Sequence, residues 1–179
     1  MKLKSLLVTA LCAGLVMAQQ PSLGLSDGFI SFDTPVFSGQ LVKDSQTLYS
    51  LSTKNVSGGF NFIPSDQMTL RQYNGNYHLG DITFRVRTVG SQTWTQGDTS
   101  VARRTVTPGP TSDSTFASAN LGPTLSSSPL NITRRWVDAN ETLQLLFDVT
   151  NAASSSVEIG ALGAPLEFNN VSFNFYGVR

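Results

Sequence analysis

Apolar and polar residues alternate with a period of two in several stretches of this 179-residue chain. In "LNITRRWVD", Leu130, Ile132, Arg134 and Trp136 fall on one side of an extended strand. Asn131, Thr133, Arg135 and Val137 fall on the other. In "ETLQLLFDVTN", Leu143, Leu145, Phe147 and Val149 share a face. Asp138-Ala139-Asn140-Glu141 reads as the hairpin turn between these runs. "TNAASSS" is a second turn, and Val157 and Ile159 open the next strand, so the pattern predicts a three-stranded antiparallel meander over residues 130–161.

The same alternation appears earlier. Ile82, Phe84 and Val86 interleave with Thr83, Arg85 and Arg87, which turns the apolar set to a core and the arginines outward. Gly90 in "TVGSQTW" is the permissive turn residue, Trp94 begins a returning strand and Gly97-Asp98 ends it. Asp81 and Asp98 then lie near the ends of one hairpin. Further strands are predicted at Phe29–Phe32, Gln46–Leu51, Phe60–Ile63 and Ser100–Val106. "TPGPTSDS" reads as a loop and Leu121–Leu130 as a Pro/Ser connector. No helical period emerges. About eight to ten strands at this spacing indicate an all-β fold, an antiparallel β-sandwich.

Composition strengthens that reading. Charged residues make up 13% of the chain, about half the usual share. Ser, Thr, Gly and Asn replace them, and these suit pleated surfaces and turns. The N-terminus is set apart. "MKLKSLLVTALCAGLVMAQQ" places Lys2 and Lys4 before an apolar run from Leu6 to Val16, then Ala18. This is the form of a secretory signal peptide over residues 1–18, with cleavage before Gln19. The run is too short to span a bilayer, which takes about 20 apolar residues. The expectation is a secreted, extracellular protein with no membrane contact after cleavage. A leader over 19–27 precedes one sandwich domain over 28–179. Cys12 is the only cysteine and lies in the signal, so the core must supply stability without disulfides. The formal net charge is zero before cleavage and slightly acidic after it, which gives no footprint for nucleic acid.

Asn-x-Ser/Thr sequons occur at Asn55, Asn131, Asn140 and Asn170 and fit the secretory route. Asn140 lies in an exposed turn, whereas Asn131 lies in a strand and is usable only if it points outward.

Candidate chemistry is sparse. The chain has one histidine, His78, and no His/Cys cluster, so no metal site and no serine-hydrolase triad is expected. No glycine-rich loop links a strand to a helix, so no nucleotide cofactor is expected. Glycoside hydrolysis requires two carboxylates about 5–10 Å apart. Asp81, Asp98, Asp148, Glu158 and Glu167 are available, but a sandwich with this many acids forms such pairs by accident. No catalytic residue is assigned. His78 beside Tyr77 reads as a hydrogen-bonded structural residue. Trp94 and Trp136 read first as core or inter-sheet aromatics. The alternative is a carbohydrate platform, since an aromatic face packs on a pyranose while polar neighbours fix its hydroxyls, and Trp94, next to a turn and near Arg87 and Asp98, is the better candidate for it. The candidate carbohydrate contacts are therefore Trp94, Arg87, Asp98 and His78.

"NYHLGDITFRVR", "TWTQGDTSVARR", "LNITRRWVD" and "LQLLFDVTNAASSSVEIGALGAPLEFNN" resemble the N-terminal region of a family of large secreted fungal proteins with an uncharacterised domain. The resemblance covers roughly residues 25 to 170, and "HLGDI" and "VEIGALGAPLEFN" are its most specific parts. It implies an association with carbohydrate-active enzymes. The implied architecture is a galactose-mutarotase-like supersandwich followed by an (α/α)6 toroid, as in glycoside-hydrolase-like proteins. Members of that family are several times longer. Against that resemblance this chain stops soon after "PLEFNN", which fits a truncated gene product, a misassigned exon or a genuine short form, each without the C-terminal helical domain that would carry general acid and base. Two functions follow. One is a secreted, carbohydrate-associated accessory domain that binds polysaccharide or another glycan without catalysis of its own. The other is a secreted structural or interaction glycoprotein with no sugar site.

Overall fold

The computed structural model describes residues 25–57, 60–63, 79–100, 105–125 and 128–164. Within them lie strands β1 (Phe29–Asp33), β2 (Phe37–Val42), β3 (Leu48–Thr53), β4 (Thr83–Thr88), β5 (Thr95–Asp98), β6 (Thr107–Pro108), β7 (Thr115–Asn120), β8 (Leu130–Ala139), β9 (Thr142–Asn151) and β10 (Val157–Gly163). The described residues hold no α-helix, only single 3-10 turns at Leu25–Asp27 and Gly122–Thr124. Every strand pair is antiparallel. The sheets are β1-β2-β3, β10-β4-β5 and β6-β7-β8-β9. The fold is all-β and sandwich-like, as the alternation predicts.

β8 explains how three sheets share one interior. Leu130, Ile132, Arg134 and Trp136 are all buried, as their spacing requires. Trp136 packs in a cluster with Phe32, Leu41, Leu48 and Leu51 from β1–β3. Leu130 and Ile132 pack in a second cluster with Ile82, Phe84 and Val86 from the β4 segment. The β8 face therefore serves both three-stranded sheets. β9 follows the same division, with Leu143 and Leu145 against the first cluster and Phe147 and Val149 against the second.

Arg134 sits between the two clusters, 1% exposed. Its guanidinium donates to the carbonyls of Gly80 and Ser45. Trp136 Nε1 donates to the Gln46 carbonyl at 2.8 Å. Two neighbouring inward side chains of β8 thus pin the β2–β3 turn and the entry to β4. Gly80 is required there. Its φ is +124°, and an added Cβ would stand 3.1 Å from the Arg134 guanidinium. The glycine of "HLGDI" is a packing residue for Arg134.

Several predicted elements differ from those observed. The hairpin β8–β9 is present, in register from Leu130↔Asn151 to Ala139↔Thr142. β10, however, leaves this sheet and pairs with β4, so no meander runs over 130–161. Asn151 closes the intervening turn, donating from Nδ2 to Ser155 O and accepting from Ala153 N at Oδ1. Val157 then packs in the second cluster and Glu158 pairs with Arg87. Period-two alternation defines which face a strand buries but not which edge it joins. The sequence pattern does not predict β2, β6 or β7: "FSGQLV" breaks its alternation at Gly39-Gln40, "TFASAN" buries small residues, Ala117 and Ala119, and the predicted loop "TPGPTSDS" opens with the two-residue strand β6, paired with β7. The predicted strand at Phe60–Ile63 is reduced to one bridge, Ser52↔Asn61, on which Asn61 Oδ1 accepts from Leu51 N. Gln46 lies in a turn, φ +51°, and β3 begins only at Leu48. Of the strand predicted over Ser100–Val106, Ser100, Thr105 and Val106 lie outside strands and the rest lies outside the described residues.

Candidate functional site

The hairpin β4–β5 forms where its sequence places it. Phe84 and Val86 are buried, Arg85 is exposed and Arg87 is half-buried. Gly90 adopts φ +85° in the turn. Directly paired residues of an antiparallel ladder share a face. Arg85↔Gln96 and Thr83↔Asp98 therefore stand on the side opposite Phe84 and Val86. Phe84 pairs with Gly97, and its ring occupies the space a Gly97 Cβ would fill, 2.1 Å from that point.

Trp94 is half-buried and held from three sides. The guanidinium carbons of Arg85 and Arg87 lie 4.6 and 4.5 Å from its ring centroid, within cation–π range. Its far edge covers Gly160 of β10, where an added Cβ would meet the indole at 2.6 Å. Gly160 is the extra residue of a β-bulge between Ile159 and Ala161. Arg87 Nε also meets Glu158 Oε2 at 2.5 Å. Glu158 of β10, Arg87 of β4 and Trp94, the residue just before β5, thus form a continuous row.

Beside this group, a cleft of about 540 Å3 opens between β4–β5 and the connector residues Thr124, Leu125 and Ser128. Arg85, Thr95, Gln96, Asp98, Leu125 and Ser128 line it. Arg85 belongs to both the cleft and the Trp94 stack. Asp98 Oδ1 accepts from Ser100 N at 2.8 Å and from Ser100 Oγ at 2.6 Å, which fixes the carboxylate at the open end of the hairpin. Asp81 is buried at that end and accepts from Thr99 Oγ1 at 2.7 Å. The same hydroxyl accepts from Ile82 N. Asp81 is thus part of a clamp that closes the hairpin base.

Of the sequence-based contacts, Trp94 and Arg87 come together, and Asp98 shares the cleft with Arg85 rather than touching the indole. His78 lies outside the described residues. Two members of the group were not singled out in the sequence. Arg85 reads there as a solvated strand charge. Gly160, inside the alternating run "VEIGAL", carries the usual signal of a bulge or close approach, but nothing local names Trp94 as the neighbour. Of the other candidate carboxylates, Asp148 and Glu158 have basic partners, Arg135 and Arg87. Arg135 donates to Asp148 from Nε at 2.8 Å and from Nη2 at 3.2 Å. The hydrogen bond to Asp148, and then its charge, raise the Arg135 pKa further above the usual range. Glu167 lies outside the described residues. Asn55, Asn131 and Asn140 are exposed, and Asn131 points outward from β8. Asn170 lies outside the described residues.

Residues 40–174 match a family of unknown function, DUF5695. The chain belongs to that family. The match takes in nine of the strands from within β2 onward, and so the whole DUF5695 hairpin with Trp94, its seat on Gly160 and the adjoining cleft. No curated protein and no solved structure matches the chain.

Proposed function

We propose that this DUF5695 protein is a secreted, carbohydrate-associated β-sandwich that contacts a glycan at Trp94 and the cleft beside it. The observation that carries this reading is the Trp94 ring, half-buried and held in place by Arg85, Arg87 and Gly160, with Arg85 shared between the ring and a neighbouring cleft. A ring already fixed by its neighbours loses little entropy on stacking against a sugar. The cleft adds donors and acceptors from Gln96, Asp98 and Thr95, and its volume lies within the usual range of ligand sites. The signal-like residues 1–18 and the sequons at Asn55, Asn131, Asn140 and Asn170 support secretion and glycosylation. In longer proteins of glycoside-hydrolase-like architecture, this domain would serve a catalytic partner without hydrolysing glycan itself.

The contacts of Trp94 also suit a second reading, in which the ring only locks β5 to β10 and the protein is a structural glycoprotein. A glycan array on the purified full chain, alongside Trp94→Ala, separates the two. The first reading expects binding by the parent and its loss in the variant, with the variant still folded. An array with no signal for the parent overturns it.

A further inference from the structure

We infer that the glycan read by this site is acidic, with a uronate carboxylate held by the Arg85 guanidinium; this rests on the glycan-binding reading above. Among the described residues, Arg87, Arg135 and Lys54 each lie within ion-pair distance of a carboxylate. Arg85 has no such partner. It is exposed, it lines the cleft, and its guanidinium carbon lies 4.6 Å from the Trp94 centroid. Stacking on an indole restrains the plane of a guanidinium while leaving its N–H edge free, and that edge matches a carboxylate with two parallel hydrogen bonds. Arg85 is therefore a positioned cation whose counter-charge is not supplied by its own strand neighbours.

The rest of the cleft fits the remainder of such a sugar. Gln96 pairs with Arg85, and Asp98 stands two residues farther along β5, about 7 Å away. Asp98 accepts at Oδ1 from Ser100, which anchors its carboxylate among the residues that line the cleft, in reach of a ring hydroxyl. A hexuronate presents a carboxylate at one end of its ring and vicinal hydroxyls at the other. Arg85 and Asp98 complement these two ends. Leu125 supplies an apolar wall beside them.

The test titrates the full chain with oligogalacturonate, alginate oligomers and glucuronoxylan oligomers, each beside its carboxyl-reduced counterpart, with dextran sulfate as a purely ionic control. The expected result is binding of at least one uronate oligomer about tenfold or more tighter than its reduced form, as for a hydrogen bond to a charged group. Arg85→Gln should abolish that preference while lowering the melting temperature only slightly, through one lost cation–π contact, and Arg85→Lys should restore only part of the preference. Equal binding of an oligomer and its reduced form, unaffected by Arg85→Gln, would overturn the uronate assignment and leave glycan binding standing. Binding of dextran sulfate as tight as that of any uronate would also overturn it, since charge alone would then suffice. No binding of these probes or of any neutral glycan would remove both readings.

Discussion

Trp94 and Trp136 occupy opposite environments, and substitution separates them. Trp136 is 1% exposed, packs in the first cluster and satisfies the Gln46 carbonyl. Trp136→Ala should lower stability by about 3–5 kcal/mol, through a cavity and an orphaned carbonyl. Trp94→Ala removes two cation–π contacts and partial burial, and should cost about 1–2 kcal/mol. Urea denaturation followed by far-UV circular dichroism measures both, and a Trp94→Ala loss as large as that of Trp136→Ala would mark Trp94 as a core residue. At this scale the sequence is half legible. Alternation alone turns Arg134 inward with Leu130, Ile132 and Trp136. It does not explain why a charge belongs there, because the carbonyls that receive it, at Ser45 and Gly80, lie 89 and 54 residues away.

Hairpins are the best-resolved elements in the sequence, and β8–β9 shows both why and with what residual strain. Ala139 pairs with Thr142, leaving the two-residue turn Asn140-Glu141 with φ of +51° and +63°. Such a turn favours Asn-Gly. Glutamate at the second position is strained, so Glu141→Gly should raise stability by about 0.5–1 kcal/mol. The change keeps the Asn140 sequon, so thermal melts can be compared at equal glycosylation. An unchanged or lower melting temperature would contradict the strain. β10 is the opposite case. Its alternation is as regular as that of β9, yet its partner is β4, and only tertiary contacts at Val157, Glu158 and Gly160 determine this. Gly160→Ala should force the indole of Trp94 away from β10, and the fluorescence contributed by that half-buried tryptophan should shift and become easier to quench. Identical quenching in parent and variant would show that the ring does not rest on Gly160.

At the scale of the whole molecule, one sheet faces two. The β8–β9 hairpin closes both hydrophobic clusters, while β1–β3 and β4–β5–β10 each own one of them. The pairing of β10 with β4 joins Arg87 to Glu158 across 71 residues. A cell makes the chain from its N-terminus at about 5–20 residues per second, so β10 follows β4 out of the ribosome by roughly 4–14 s. Through that interval β4–β5 is a hairpin without its third strand, and Trp94 has no glycine to rest on. A nascent chain arrested after Ser156 should be cut by protease within residues 83–98, whereas release of the full chain should protect them. The Trp94 ring is thus seated last, by a strand synthesised well after the hairpin that carries it. The seating of that ring then becomes a signal that translation has passed β10.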